Sequence, residues 1–154
     1  MTISVQEADF DVGAEIADLS ADDVGAGAVA SFVGLVRGEG ITAMTLEHYP
    51  GMTEKSLADI VAEATRRWQL RRVRVIHRVG RLLPGARIVF VGVSSSHRHD
   101  AFAACEFVMD FLKTRAPFWK KEETPAGARW VDARESDTAA AAGWDVAGES
   151  GGRG

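Results

Sequence analysis

Pro117 cuts the longest amphipathic stretch of this chain in two. Upstream of it, Phe102, Cys105, Val108 or Met109, and Leu112 recur at helical spacing, the apolar stripe of a long helix that opens around Ser94-Ser-Ser-His-Arg-His99. Proline has no N–H to give to a helix and disfavours helical backbone in the residue before it, so the helix has to stop at about Ala116. Downstream, Trp119 to Glu123 and Arg129 to Ala133 are two short predicted strands around the turn Thr124-Pro-Ala-Gly127. The chain therefore changes from helix to returning strand inside Phe111-Leu-Lys-Thr-Arg-Ala-Pro-Phe-Trp-Lys-Lys-Glu122.

That corner is also where the cations are. Three of the four lysines, Lys113, Lys120 and Lys121, fall inside it, with Arg115 beside them, although the whole chain carries a formal net charge of -4. Phe111, Leu112, Phe118 and Trp119 surround them with apolar surface. Charges against a low-dielectric wall act more strongly than in bulk water, which suits a pocket for an anionic ligand. Lys113 on the last helical turn and Lys120 on the strand that turns back are placed to converge from different elements. The alternative is that lysines near a helix end simply oppose the macrodipole.

The remaining chain reads as short strands and two substantial helices. Ile3 to Val5 is a short strand, and Asp9 to Ala21 has a weak helical pattern. Ala28 to Val36 is β-rich. Arg37-Gly-Glu-Gly40 reads as a turn, and Thr42 to Tyr49 as the strand returning from it. Pro50-Gly51 breaks that strand, and Thr53 is predicted to cap a helix carrying Leu57, Ile60, Val61, Ala64 and Trp68. Arg71 to Val79 alternates, with Val73, Val75, His77 and Val79 on one face. After the turn Leu83-Pro-Gly-Ala86, Arg87 to Val93 is apolar enough to be covered on both faces. Hairpins mixed with two main helices predict an α+β single domain with antiparallel or mixed sheets. A ββαββα, ferredoxin-like order is the alternative. Residues 1–137 form the expected domain, and residues 138–154 an Ala/Gly-rich tail, partly disordered, with Gly148–Gly154 as its far end.

Composition narrows the classes. No apolar run approaches the roughly 20 residues that span a bilayer, and the N-terminus shows no basic start followed by an apolar stretch. The single cysteine, Cys105, excludes an intrachain disulfide framework and suits a reducing cytoplasm. Cys105 lies on the helix stripe, so it is expected to be inert core rather than a sulfur nucleophile. The sequence pI of about 5.6 argues against general nucleic-acid binding. The series Arg66, Arg67, Arg71, Arg72, Arg74, Arg78 and Arg81 reads as a solvated strand face plus a helix end, with RNA as the alternative partner.

Two further features point to anions. The start of the second long helix offers unpaired N–H groups, with Arg98 as a bidentate donor and His97 as donor or proton carrier; ordinary serine capping is the alternative. Arg37 follows a buried strand and precedes Gly38 and Gly40, a common position for ligand contact. His97-x-His99 suggests a metal, but no third ligand is evident, so no metal site is expected. Glu47 and His48 are adjacent on a strand and point to opposite faces, which weakens them as an acid–base pair.

Several long blocks carry a family resemblance. They are Thr45-Leu-Glu-His-Tyr-Pro-Gly-Met-Thr-Glu54, Val75-Ile-His-Arg-Val-Gly80, Ile88-Val-Phe-Val-Gly-Val93, His97-Arg98, Phe111 to Lys120, and Trp130-Val-Asp-Ala-Arg-Glu-Ser136. In this order, from about Val29 to Asp137, the chain resembles the catalytic (large) subunits of molybdopterin synthase. The resemblance implies an α+β fold with a hammerhead-type subdomain and a homodimer within a heterotetramer. Each end of that assembly binds a small ubiquitin-like carrier subunit with a C-terminal Gly-Gly thiocarboxylate. The implied reaction moves sulfur from that thiocarboxylate to cyclic pyranopterin monophosphate, building the dithiolene of molybdopterin, with no bound cofactor, no nucleic acid and no membrane. It further implies that Lys113 lies beside the incoming C-terminus, that Lys120 lines the pterin pocket, and that Arg37, His97 and Arg98 hold the substrate. Lys121 and Glu122 continue the pocket wall, and Arg134 is a further candidate acting across the dimer. Against the family, the loop from Arg37 to Thr42 is short. The competing expectation is a non-catalytic anion- or RNA-binding module on the same fold.

Overall fold

The central strand of the molecule is the apolar run expected to be covered on both faces. In the computed structural model, which describes residues 2–131 and 139–144, β6 (Arg87–Ser95) is buried from Ile88 to Ser95. Around it, β1 (Ile3–Gln6), β4 (Arg72–Arg78) and β2 (Ala28–Leu35) complete a four-stranded sheet of order β1-β4-β6-β2. β1 runs parallel to β4, and both β4 and β2 run antiparallel to β6. A second, antiparallel sheet has the order β5-β3-β7-β8, formed by β5 (Gly80–Leu82), β3 (Ala43–His48), β7 (Phe118–Thr124) and β8 (Gly127–Val131).

Helices cover both faces of the first sheet. Val75, Val89, Val91 and Val93 share a core with Leu57, Ile60 and Ala64 of α2 (Met52–Arg67) and with Ala101, Ala104, Cys105, Val108 and Leu112 of α3 (Arg98–Arg115). On the opposite face, Ile76 and Phe90 meet Phe10 and Leu19, which flank the short helix α1 (Val12–Asp18). Phe10 and Leu19 are each more than nine-tenths buried, worth roughly 1.5–3 kcal/mol apiece. The pair Arg87–Asp9 beside them is about half exposed, and solvent screens exposed ion pairs heavily. Apolar burial therefore contributes most to holding the N-terminal segment.

Several local expectations are corrected. The strand after Arg37-Gly-Glu-Gly40 does not return onto β2. β3 belongs to the other sheet, so the segment from Val36 to Thr42 crosses between sheets; β2 pairs instead with β6, which offers an apolar partner over its whole length. Thr53 is not the cap of α2. Gly51 is, at φ 85°, a left-handed conformation that glycine adopts without strain, and its N–H donates to the Glu54 carboxylate at 3.2 Å. Ser94 and Ser95 are strand residues, so α3 starts later than expected, with His97 as its N-cap. Phe102 is 66% exposed, because Ala101 rather than Phe102 shares the face of Ala104, Cys105 and Val108. β5 has no separate sequence signal.

Part of the segment expected to be a tail is packed. Residues 139–144 are helical; Ala141 is buried, and the Trp144 ring meets Trp68 and Phe107 edge-on at 5.6 Å each. Trp144 Nε1 donates to Asp110 at 2.5 Å, and Arg67 donates to the Trp144 carbonyl while lying over Phe107. Gly148–Gly154 and Arg134 lie outside the described residues. Among the described residues, no helix is long and apolar enough to cross a membrane.

Candidate active site

The corner marked by Pro117 forms as expected and carries the lysines. α3 ends with Ala116 as its C-cap, already in extended backbone (ψ 130°), and Phe118 N donates to Ala116 O at 2.9 Å across Pro117. That tight three-residue turn sends the chain into β7. Lys113 projects from the last turn of α3 and is exposed; Lys120 is half-buried, opposite Leu46 of β3 and Val131 of β8.

Both lysines act on one buried side chain, His77. Its ring is 4% exposed and stacks on Phe118 with centroids 3.8 Å apart and planes 18° apart. Nδ1 lies 2.8 Å from the Arg78 carbonyl oxygen, which can only accept, so Nδ1 carries the proton. Burial, opposed by the bond to Arg78 and helped by Lys113, Lys120 and His48 nearby, brings the imidazole pKa down to about 3. At neutral pH His77 is thus a neutral imidazole, protonated at Nδ1. Lys113 and Lys120, from different elements, converge on the electrostatic environment of one residue.

Strand register sorts the other candidates. Lys120 and Glu122 point to the face of β7 that holds Phe118, Leu46 and His48; Lys121 points to the other face, opposite Thr45 and Trp130. The Lys121 ammonium lies 5.8 Å from the Trp130 ring centroid. That outer face exposes Trp119 and Trp130 at about half their surface and pairs Arg81 with Glu123. Glu47 and His48 do point to opposite faces, and it is His48 that belongs with the lysines.

Arg37 is exposed just beyond β2, and its loop touches the Pro84 turn. α3 packs back along β6 and β2, so its C-terminal turn reaches this end of the sheet. His97 and Arg98 sit at the opposite end of α3, fifteen residues from Lys113, about 22 Å along the axis. One copy of the chain does not bring them to the lysine corner. Lys120 and Glu122 thus share a face of β7, and Lys113 and Lys120 share the neighbourhood of His77, whereas His97 and Arg98 lie at the far end of α3 and Lys121 on the other face of β7.

Two residues at the corner escape a reading of the sequence. His77 reads there as one position of an apolar strand face, and a histidine in that register is the available signal. Thr53 reads as a cap, yet it is fully buried, accepting from Tyr49 N at 3.0 Å and donating to Pro117 O at 2.9 Å. Cys105 is off this site. Its thiol faces the Val91 carbonyl at 3.7 Å, and burial, with the charge of Glu106 beside it, pushes its pKa up to about 11.

Comparison with known proteins places the chain in a family. The sequence model of the family described as "MoaE protein" matches residues 5–115. The molybdopterin synthase catalytic subunit of Ralstonia nicotianae is 62% identical over 149 residues, covering 94% of this chain and 85% of that protein. The MoaE protein of Burkholderia ambifaria superposes with a TM-score of 0.82 at 61% identity, covering 94% of this chain and 97% of that one. The molybdopterin synthase structure from Staphylococcus aureus superposes with a TM-score of 0.77 at 30% identity, covering 83% and 95%. A match of this extent, in sequence and in fold alike, shows that the chain belongs to the MoaE family of molybdopterin synthase catalytic subunits.

Proposed function

We propose that this chain is the catalytic subunit of a molybdopterin synthase. It moves sulfur from the C-terminal thiocarboxylate of a small ubiquitin-like carrier subunit to cyclic pyranopterin monophosphate, forming the dithiolene of molybdopterin. The observation that carries this reading is the tight turn at Pro117, which brings Lys113 at the end of α3 and Lys120 on β7 near enough to the buried His77 for both charges to lower its pKa. The chemistry needs fixed cations beside a carboxylate-like tail and a phosphate, and no nucleophilic thiol of its own, because the sulfur arrives activated. The buried Cys105 fits that division of labour.

Lys113 stabilises the charge that develops at the thiocarboxylate carbon, or passes a proton there. Lys120 positions the pterin and assists opening of the cyclic phosphate, with Glu122 on the same face. Arg37 holds substrate at the same end of the sheet. His97 and Arg98 bind phosphate at the start of α3. Because that start lies about 22 Å from Lys113, they serve the site of a second copy in a homodimer, and Arg134 is assigned the same role. The partners are thus a second copy of this chain and one carrier subunit per site, in a reducing cytoplasm.

The RNA-binding alternative loses its basic face. Arg66, Arg67, Arg71, Arg74 and Arg81 each donate to a carboxylate, and Arg72 and Arg78 donate to backbone carbonyls. The test is to combine the purified chain with thiocarboxylated carrier and cyclic pyranopterin monophosphate and assay dithiolene product. Product that disappears in Lys113→Ala, with fold and carrier complex retained, is the expected result. A stable complex without product overturns the reading in favour of a binding scaffold.

A further inference from the structure

The β3–β7 ladder ends in an unusual rung. Its register sets His48 opposite Phe118, so Tyr49 and Pro117 come next. Proline has no N–H, which leaves its carbonyl as the only backbone group able to bond across. The Thr53 hydroxyl spans that rung: Tyr49 N donates to Oγ1 at 3.0 Å, and Oγ1 donates to Pro117 O at 2.9 Å. An N–H can only donate and a carbonyl can only accept, so the hydroxyl proton points at Pro117. Thr53 is itself held, with no exposed surface, in the first turn of α2, its N–H on the Tyr49 carbonyl at 2.9 Å.

Pro117 is the pivot between the two lysines. Lys113 precedes it by four residues and Lys120 follows it by three. The corner is pinned on one side by the Phe118 ring on His77 and on the other by the Thr53 hydroxyl at Pro117. We propose that Thr53 is a positioning residue for sulfur transfer: through the Pro117 carbonyl, its hydroxyl holds the angle between α3 and β7 and so the placement of Lys113 relative to Lys120. This inference rests on the synthase reading above. Displacing a reacting group by about 1 Å can lower a rate by about 100-fold.

Thr53→Val keeps the shape and removes both bonds; Thr53→Ser keeps the hydroxyl. Steady-state and single-turnover dithiolene formation would be measured with the thiocarboxylated carrier complex and normalised to folded protein by circular dichroism, alongside carrier affinity. The expected result for Thr53→Val is a kcat lower by about 10- to 100-fold, with KM for the pterin and carrier affinity within about threefold of wild type. Thr53→Ser should return to within about threefold of wild type. A buried structural threonine alone would lower the folded fraction and leave kcat per folded molecule unchanged. Thr53→Val at wild-type kcat overturns the inference, as does a loss that Thr53→Ser fails to restore in folded protein. If Thr53→Val does not fold, Thr53→Cys, similar in size and weaker in hydrogen bonding, should show an intermediate kcat; wild-type kcat in it overturns the inference equally. Wild type and Lys113→Ala run in parallel. An inactive wild type overturns the synthase reading itself, whereas an active wild type with an inactive Lys113→Ala and an unimpaired Thr53→Val overturns only the role of Thr53.

Discussion

The imidazole of His77 lies face to face with the ring of Phe118, 3.8 Å between centroids, although the two residues belong to different sheets. This stack joins the first sheet to the second through β7, the strand that also carries Lys120. It also explains how a histidine is tolerated in the core: a neutral ring gains a stacking partner on one side and a carbonyl for Nδ1, and avoids the cost of a buried charge.

The neutral state makes stability depend on pH. The folded pKa of His77 is depressed to about 3 from an ordinary value of 6.5. Between those values the unfolded chain binds a proton that the folded chain does not. Stability from this residue is therefore complete above about pH 6.5 and falls as pH drops toward 3, by about 1.4 kcal/mol per pH unit within that window. Urea midpoints between pH 7 and pH 4.5 should fall for wild type, and the slope should flatten in His77→Gln. Asp9, held down to about 2 by the bond from Arg87, loses its contribution only below its ordinary 3.8, outside this range. An equal slope in both proteins would place the acid sensitivity elsewhere.

Adjacent lysines should behave differently. Lys120 shares a face with His48 and Phe118, and Lys121 faces Trp130 on the opposite side. Lys120→Ala should lower kcat for dithiolene formation by about 100-fold or more, in the range of a lost electrostatic contact to the reacting groups. Lys121→Ala should lower it by less than about tenfold and act mainly on association with partner chains. Comparable kcat losses in both would mean that substrate reaches across the strand.

The thiol of Cys105 should be silent. Burial and a pKa raised to about 11 leave negligible thiolate at pH 8. A thiol-reactive chromophore should label native protein far more slowly than urea-unfolded protein, and Cys105→Ala should retain turnover within about twofold. Rapid native labelling accompanied by loss of product would point instead to sulfur passing through this residue.

The division between what is legible in the chain and what is not follows range along it. Local chemistry is written in neighbouring residues: Pro117 ends α3, the apolar run of β6 makes it central, and the density of lysine at one corner marks the candidate site. The long blocks that mark the family likewise need only the order of residues. The faces of β7 follow from period-two alternation, and that alternation alone separates Lys120 from Lys121.

Strand partners are not legible in that way. The pairing of β2 with β6, the pairing of β3 with β7 and the packing of Trp144 against Phe107 join residues dozens of positions apart. Turn-like residues at 37–40 suit a hairpin and a crossing equally well, so only competition for β6 as a partner decides between them. His77 and Thr53 acquire their roles through those distant pairings, one by meeting Phe118 and the other by meeting Pro117. The sequence by itself determined the elements, the helix–strand corner and the lysines it carries, because periodicity, proline and charge act locally. Tertiary structure alone decided which strands pair and which buried groups hold the corner, because hydrogen-bond and packing partners are selected by burial of the whole chain.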